Sequence, residues 1–180
     1  MAGGSCRPPT AASILESLVR IPSVTGEEGR IAEAVAEWCA GAGLTVQMPE
    51  VQPGRPNVVA RWGTGRGPVV LLTGHLDTVP VGTGWTRDPF GAEVAEGRLY
   101  GRGACDMKGG LAAMLAAVQD LRRRGLEPAG DVVLAAVVGE EEDSAGTLAL
   151  LAAGIEADRA LLAEPTGLEL VRGNRGLVNY

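Results

Sequence analysis

Apolar and polar positions repeat with two different periods along this chain, and the change of period separates helices from strands. Apolar residues at helical spacing over Thr10–Arg20, and again over residues 29–40, predict two amphipathic helices near the start. Pro22 ends the first helix, and Thr25-Gly-Glu-Glu28 has the form of a capping box that opens the second. The first forty residues therefore predict a helical pair.

After Gly43 the pattern changes to short β-branched runs separated by glycine and proline, which is typical of strands. The predicted strands are Leu44–Met48, Asn57–Trp62, Pro68–Thr73, a hairpin around Gly97, Asp131–Val138, Asp158–Ala163 and Leu168–Val171. Helical spacing returns over Met107–Arg124 and Ser144–Ala153. Strands that alternate with helices indicate an α/β fold with a largely parallel sheet flanked by helices.

Composition narrows the function classes. The 180 residues are 46% hydrophobic, as in a globular domain, and carry 22 acidic against 16 basic side chains, a formal charge of −6. This acidic balance argues against a nucleic-acid surface, and Arg122–Arg124, the only basic run, is interpreted as a solvated helix end. No apolar run is long enough to span a membrane.

Cysteine usage and the first residues bear on location. Three scattered cysteines, Cys6, Cys39 and Cys105, favour a reduced chain rather than a disulfide framework. Residues 1–9 have no apolar leader and are expected to be a disordered terminus. We therefore expect a cytoplasmic protein.

Candidate chemistry gathers where predicted strands end. His75, the only histidine, and Asp77 follow one strand, Asp106 precedes the long helix, and Glu140–Glu142 and Glu164 follow two further strands. The carboxyl ends of parallel strands share one edge of a sheet, so these side chains are expected to meet. One imidazole with several carboxylates forms a ligand set for a divalent metal, and Asp77 is placed to orient His75.

Several longer motifs resemble the M20 family of metallopeptidases and deacylases, of the acetylornithine deacetylase, succinyl-diaminopimelate desuccinylase and carboxypeptidase G type. The matching segments are Gly74–Pro80, Trp85 with Asp88–Phe90, Leu99–Gly110, Glu140–Thr147 and Ala163–Thr166. They occur in the family's order and cover nearly all of the chain from Ile14 onward. The resemblance implies that residues 10–180 are the N-terminal part of a zinc-hydrolase catalytic domain.

The resemblance also implies a role for each residue. His75 and Glu164 would bind a first zinc, Asp106 would bridge two zinc ions through a cis peptide to Met107, and Glu141 would bind the second zinc. Glu140 would be the general base and Asp77 would orient His75. Three consecutive glutamates leave open a slip of one residue in this assignment. Co²⁺ or Mn²⁺ could replace zinc.

The implied activity is that of a di-zinc hydrolase that cleaves the amide bond of an N-acyl amino acid or small peptide with metal-activated water. Complete family members form homodimers through a lid domain, which would follow Val171–Val178, and they bring further histidines. Because His75 is the only histidine here, we expect a truncated chain, without the lid, that is inactive or weakly active. The alternative is a non-catalytic metal- or partner-binding remnant of the same fold.

Two other site hypotheses follow from local sequence. Gly101-Arg-Gly103 between a strand and a helix is typical of dinucleotide binding, but the third glycine of that fingerprint is replaced by Asp106. Cys105 at a helix start could act as a nucleophile with His75. Lys108, the only lysine, is expected on the surface, and Trp85 and Phe90 are expected to pack within their loop.

Overall fold

A computed structural model describes residues 9–173, and this part contains four helices and nine strands. The helices are α1 (Ala11–Val19), α2 (Gly29–Gly41), α3 (Lys108–Arg123) and α4 (Ala145–Ala152). The strands are β1 (Thr45–Gln47), β2 (Glu50–Gln52), β3 (Arg55–Pro56), β4 (Val58–Gly63), β5 (Val69–His75), β6 (Glu93–Ala95), β7 (Arg98–Tyr100), β8 (Asp131–Val137) and β9 (Arg159–Leu162). The prediction of disorder over residues 1–9 falls, except for Pro9, outside the described residues.

Five strands form the central sheet, in the order β1-β4-β8-β5-β9. β5 pairs in parallel with both β8 and β9, whereas β4 is antiparallel to its neighbours β1 and β8. Four of the five strands therefore run in one direction and only β4 is reversed. The predicted α/β fold with a largely parallel sheet is confirmed, and β2–β3 and β6–β7 form two separate hairpins.

The two faces of the sheet differ in how they are covered. Along β8, Leu134 and Ala136 belong to the main core under α1, α2 and α3, whereas Ala135 and Val137 face the opposite side. On that side Leu150 of α4 and Val133 of β8 are also buried. Larger leucines on that side stay in solvent, with Leu148, Leu151 and Leu162 between 58% and 63% exposed. One face is a packed core and the other is largely open.

The start of the second helix differs from the prediction. α2 has Glu28 at its N-cap position with no side-chain capping bond, so the expected capping box at Thr25 is wrong. The backbone N–H of Thr25 donates to the carbonyl oxygen of Thr78 (3.1 Å), and the Glu28 carboxylate is bound by Arg55. The Thr25 N–H and the Glu28 carboxylate, which would bind each other in a capping box, therefore bind residues far away in sequence instead.

Lys108 is not on the surface, as the sequence suggested, but fully buried at the start of α3. Its Nζ donates to the carbonyl oxygens of Leu18 (3.1 Å) and Ile21 (2.8 Å), at the C-terminal end of α1. Carbonyl groups at a helix C-terminus carry partial negative charge and lack helical partners, so they stabilise a buried ammonium. Burial lowers the pKa of Lys108 to about 8, so the ammonium remains charged at neutral pH.

The predicted and observed strands differ at two further places. The hairpin of β2 and β3 was not predicted, because runs of three and two residues are too short to show alternation. The strand expected at Leu168–Val171 is wrong: these residues are exposed coil and turn, and Leu168 has φ +66°. No helix among residues 9–173 combines the length and apolar character needed to cross a bilayer.

Candidate metal centre

The side chains expected to meet at the sheet edge do meet there. In the parallel register His75 of β5 lies opposite Val137 of β8, and Thr73 lies opposite Leu162 of β9. Glu140 follows β8 by three residues and Glu164 follows β9 by two. Equal register therefore brings the three strand ends to one level, where the loop before α3 adds Asp106.

His75 is the centre of this cluster. Its Nε2 lies 3.1 Å from Asp106 Oδ1, 3.5 Å from Glu164 Oε1 and 3.8 Å from Glu140 Oε2. Potential ligand atoms fall within 4.8 Å of one another in two groups that share His75. One group adds Glu140 and Glu164, and the other adds Asp106 and Glu141. All five candidate residues are thus within reach of one or two small cations.

Asp77 lies behind the cluster, fully buried, and binds three different segments. Its carbonyl oxygen accepts a hydrogen bond from His75 Nδ1 (2.9 Å), and its Oδ1 lies 3.5 Å from the same nitrogen. Its two carboxylate oxygens accept the backbone N–H groups of Glu140 and Glu141, each at 3.1 Å. Asp77 therefore holds the imidazole ring and the glutamate loop in fixed positions relative to each other.

The loop before α3 approaches β5 unusually closely. The Asp106–Met107 peptide is cis, as the resemblance implied, and the Met107 sulfur accepts a hydrogen bond from the His75 backbone N–H (3.0 Å). A Cβ at Gly74 would lie 2.9 Å from that sulfur, so a larger residue would have to displace the Met107 side chain from its place beside the strand. On the other side, a Cβ at Gly110 would lie 2.8 Å from Ala163 Cβ. Two glycines thus let α3 and its leading loop approach β5 and the end of β9.

Burial and the charges within the cluster shift the pKa values of its own members. Burial raises the pKa of Glu164 to about 7, and the nearby carboxylates of Asp106 and Glu140 add to this effect against the influence of His75. The pKa of Glu141 is raised for the same reasons, burial first and then Asp106. Burial alone would lower the pKa of His75, but the hydrogen bond to Asp77 and the charge of Glu164 outweigh it and raise the pKa to about 9.

The pKa shifts and the donor residues together suit the binding of a metal cation. Four carboxylates crowd around one imidazole, and at Glu164 and Glu141 burial, together with the neighbouring negative charge, favours the protonated form. A divalent cation relieves that repulsion and displaces the protons, and imidazole nitrogen with carboxylate oxygen is a donor set that zinc and similar metals accept. The chemistry of the donors therefore fits a metal site.

Several residues that support the site were not found by the sequence reasoning. The hydroxyl of Thr25 donates to Asp77 Oδ2 (2.9 Å), and Arg55 forms a buried ion pair with Glu28 (2.6 Å). The same guanidinium lies beside the glutamate loop, where a Cβ at Gly139 would be 3.1 Å from its NH2 nitrogen. Their partners lie 27 to 52 residues away in sequence, so no local pattern indicates these contacts.

The alternative site chemistries receive no support from the geometry. The two ring nitrogens of His75 are bound to Asp77 and Asp106 rather than to Cys105, so the geometry does not form the alternative nucleophile pair. The loop after Gly101 leads to the carboxylate of Asp106 within an acidic cluster, which would repel a phosphate. Trp85 packs within its loop as expected, with its indole N–H donating to the Val81 carbonyl (2.7 Å).

Comparison with known proteins agrees with the motifs. The model of peptidase family M20/M25/M40 matches residues 71–173. A succinyl-diaminopimelate desuccinylase of Methylorubrum extorquens is 46% identical over 167 residues, which are 86% of this chain and 43% of that protein. A protein of the same name from Rhodospirillum centenum is 42% identical over 170 residues, 88% of this chain and 44% of its own length.

Solved structures show the same fold. Human carnosine dipeptidase 1 superposes with a TM-score of 0.76 at 23% identity, over 86% of this chain and 38% of that one. A tripeptidase from Staphylococcus aureus gives a TM-score of 0.67 at 27% identity, over 86% and 42%. This chain therefore spans less than half the length of the relatives that it matches. With a family model over more than half of its residues, the chain belongs to peptidase family M20/M25/M40.

Proposed function

We propose that the described residues form the metal-binding part of a hydrolase that cleaves the amide bond of an N-acyl amino acid or small peptide. The observation that carries this proposal is the convergence of His75 and four carboxylates at the ends of β5, β8 and β9. The raised pKa values of His75, Glu141 and Glu164, and the place of the cluster at the carboxyl edge of an α/β sheet, support a reactive site rather than a structural one. Membership of a peptidase family agrees with this reaction class.

The proposed ligands are His75 and Glu164 for a first metal, Asp106 as a bridge, and Glu141 for a second metal. The two groups of potential ligand atoms among the described residues include Glu140 and Glu141 but not Glu142, which supports placing the base and the ligand at these two positions. Zinc is the proposed metal, with Co²⁺ or Mn²⁺ as substitutes. A divalent metal at this position supplies a Lewis acid that polarises an amide carbonyl and makes water more acidic.

Glu140 is the proposed general base. Its side chain is 45% exposed and its Oε2 lies 3.8 Å from His75 Nε2, so the carboxylate is at the cluster yet open to solvent and substrate. In that position it takes a proton from the attacking water and returns it to the leaving amine nitrogen. Asp77 keeps the Glu140 backbone and the His75 ring in register and so fixes the position of the base.

The names of the relatives suggest the first substrate to test. Relatives from several bacteria are called succinyl-diaminopimelate desuccinylases, so we propose an N-succinyl amide as the substrate class. Homodimer formation and a cytoplasmic location stay predictions. The observations that favour the alternative, a binding module without catalysis, are the exposed Leu148 and Leu162 on the open face.

The experiment is metal titration by calorimetry combined with a hydrolysis assay on N-succinyl-diaminopimelate. We expect the chain to bind zinc, His75→Ala to abolish binding, and Glu140→Gln to retain binding. Glu33→Gln, an exposed glutamate on α2, is the matched control and should bind like the parent chain. Absence of zinc binding by the parent chain would overturn the proposal.

Hydrolysis separates the two candidate functions. Because the sequence holds one histidine, which the first metal uses, we expect turnover by these 180 residues alone to be slow or absent. Any turnover above background should disappear in Glu140→Gln and persist in Glu33→Gln. Zinc binding with turnover that requires Glu140 supports the hydrolase, whereas zinc binding without turnover describes a chain that binds metal and does not catalyse on its own. Turnover that survives in Glu140→Gln would contradict the proposed base.

A further inference from the structure

The carboxylate of Asp77 has one side-chain hydroxyl donor among the described residues, and that donor is Thr25. Asp77 Oδ2 accepts from Thr25 Oγ1 at 2.9 Å and from the Glu141 backbone N–H at 3.1 Å. Asp77 Oδ1 accepts from the Glu140 backbone N–H at 3.1 Å and lies 3.5 Å from His75 Nδ1. Thr25 thus binds the oxygen that faces away from the imidazole.

Thr25 is itself held in place from both sides. Its backbone N–H donates to the Thr78 carbonyl (3.1 Å). Two residues earlier, the Ser23 hydroxyl donates to the Leu76 carbonyl and the Ser23 carbonyl accepts from the Thr78 N–H, so Ser23 binds on either side of Asp77 in sequence. On the α1 side, the buried Lys108 fixes the carbonyl of Ile21 (2.8 Å). The loop that carries Thr25 is therefore fastened along the Asp77 loop.

The next residues of this loop are fastened as well. The backbone N–H of Gly26 donates to Glu28 Oε2 (3.1 Å), and that same oxygen accepts from Arg55 Nε (2.7 Å). The Glu28 side chain is fully buried and that of Arg55 is 13% exposed, so this pair is shielded from solvent. A hydroxyl on such a fixed backbone has little freedom to leave its acceptor.

We propose that Thr25 is a positioning residue that holds the Asp77 carboxylate in the orientation needed by His75 and the Glu140–Glu141 backbone. The inference rests on the proposed function, because Asp77 matters only if His75 and the glutamates bind metal and move protons. Hydrogen-bond partners behind the ligands of a metal site fix ligand orientation and affect metal affinity. Removal of the hydroxyl leaves Asp77 Oδ2 with one donor fewer and frees the carboxylate to rotate about its Cβ–Cγ bond.

The test uses two substitutions that separate the hydroxyl from the shape of the side chain. Thr25→Val keeps the shape and loses the hydroxyl, whereas Thr25→Ser keeps the hydroxyl. We expect Thr25→Val to raise the zinc dissociation constant about tenfold and Thr25→Ser to change it less than about twofold. Thr10→Ala, which removes the N-cap hydroxyl of α1, controls for loss of stability and should leave zinc affinity unchanged.

A second readout does not require metal. The His75 Nδ1 proton, which is donated to the Asp77 carbonyl oxygen, gives a separate NMR signal that reports the position of the ring. We expect this signal to shift and exchange faster with water in Thr25→Val, and to return to its parent position in Thr25→Ser. A change in Thr10→Ala is not expected.

The outcomes are distinct. Parent-like zinc affinity in Thr25→Val overturns the inference, as does an equal loss in Thr25→Ser, which would assign the effect to packing. A loss in Thr10→Ala as large as in Thr25→Val would show that affinity follows stability and would also overturn it. If the parent chain binds no zinc, the proposed function fails, and the His75 signal alone then decides whether Thr25 positions Asp77.

Discussion

The residues that point to the two faces of the central sheet are similarly apolar, but the two faces differ strongly in what covers them. Leu134 and Ala136 of β8 lie under α1, α2 and α3 in a core of 21 buried residues, whereas among residues 9–173 the buried cluster on the opposite face holds only Ala135, Val137 and Leu150, with Val133 of β8 buried beside them. Successive residues of β8 point to opposite faces and are apolar on both, so the sequence of the strand does not show which face is covered. What differs is whether amphipathic helices cover the face, and the helix on the open side exposes two of its leucines, Leu148 and Leu151.

The largest expected contrast is in the energy of single core deletions. Leu111→Ala removes a fully buried side chain of α3 and should lower the free energy of unfolding by about 2–5 kcal/mol. Leu148→Ala removes a side chain that is 61% exposed and should cost less than about 0.5 kcal/mol. Urea unfolding of the two variants beside the parent chain measures both values.

Equal losses in the two variants would break the comparison. They would mean that the open face is covered in solution, for example by a second copy of the chain. Repeating the urea titrations over a hundredfold range of protein concentration would then reveal a concentration-dependent midpoint.

An intermediate effect is expected from the charge buried on the packed side. Because burial lowers the pKa of Lys108 to about 8 from 10.5 in the unfolded chain, the unfolded chain binds more protons between these two pH values. The free energy of unfolding should therefore rise, by up to about 3 kcal/mol, as the pH increases from 8 to 10.5. Lys108→Met should lack this rise, and urea unfolding at several pH values checks it.

The comparison with Lys108→Met also removes the main interfering group. Burial raises the pKa of the Cys39 thiol to about 12, so this residue lowers stability above pH 9 in both proteins and cancels in their difference. A difference between parent and variant that stays constant across this pH range would contradict the lowered pKa of Lys108.

The smallest effect concerns the helix starts on the two sides. Thr10 at the N-cap of α1 accepts from the Ser13 backbone N–H (3.2 Å), so Thr10→Ala should cost about 1 kcal/mol. Ser144 at the N-cap of α4 has φ +56° and makes no side-chain capping bond, so Ser144→Ala should change stability by less than about 0.5 kcal/mol. Thermal unfolding compares the two, and a larger loss in Ser144→Ala would reverse the contrast.

Local sequence was sufficient for most of the fold and for which residues meet. The strand ends, the largely parallel sheet and the meeting of His75, Asp106 and Glu164 are predicted from apolar runs and from the rule that such ends share an edge. The positions of Lys108 and Thr25 could not be predicted, because their partners lie 52 to 90 residues away and are backbone carbonyls or a buried carboxylate. Such partners leave no periodic trace in the sequence.

The burial of Lys108 also gives the folded chain an unusual chemical property. It is the only lysine, and its Nζ is enclosed between α1 and α3. Reagents that acylate amines, and proteases that cleave after lysine, therefore have no accessible lysine in the native protein. Acylation of Lys108 requires α1 to separate from α3. The acylation rate of the native protein therefore reports how often these two helices open.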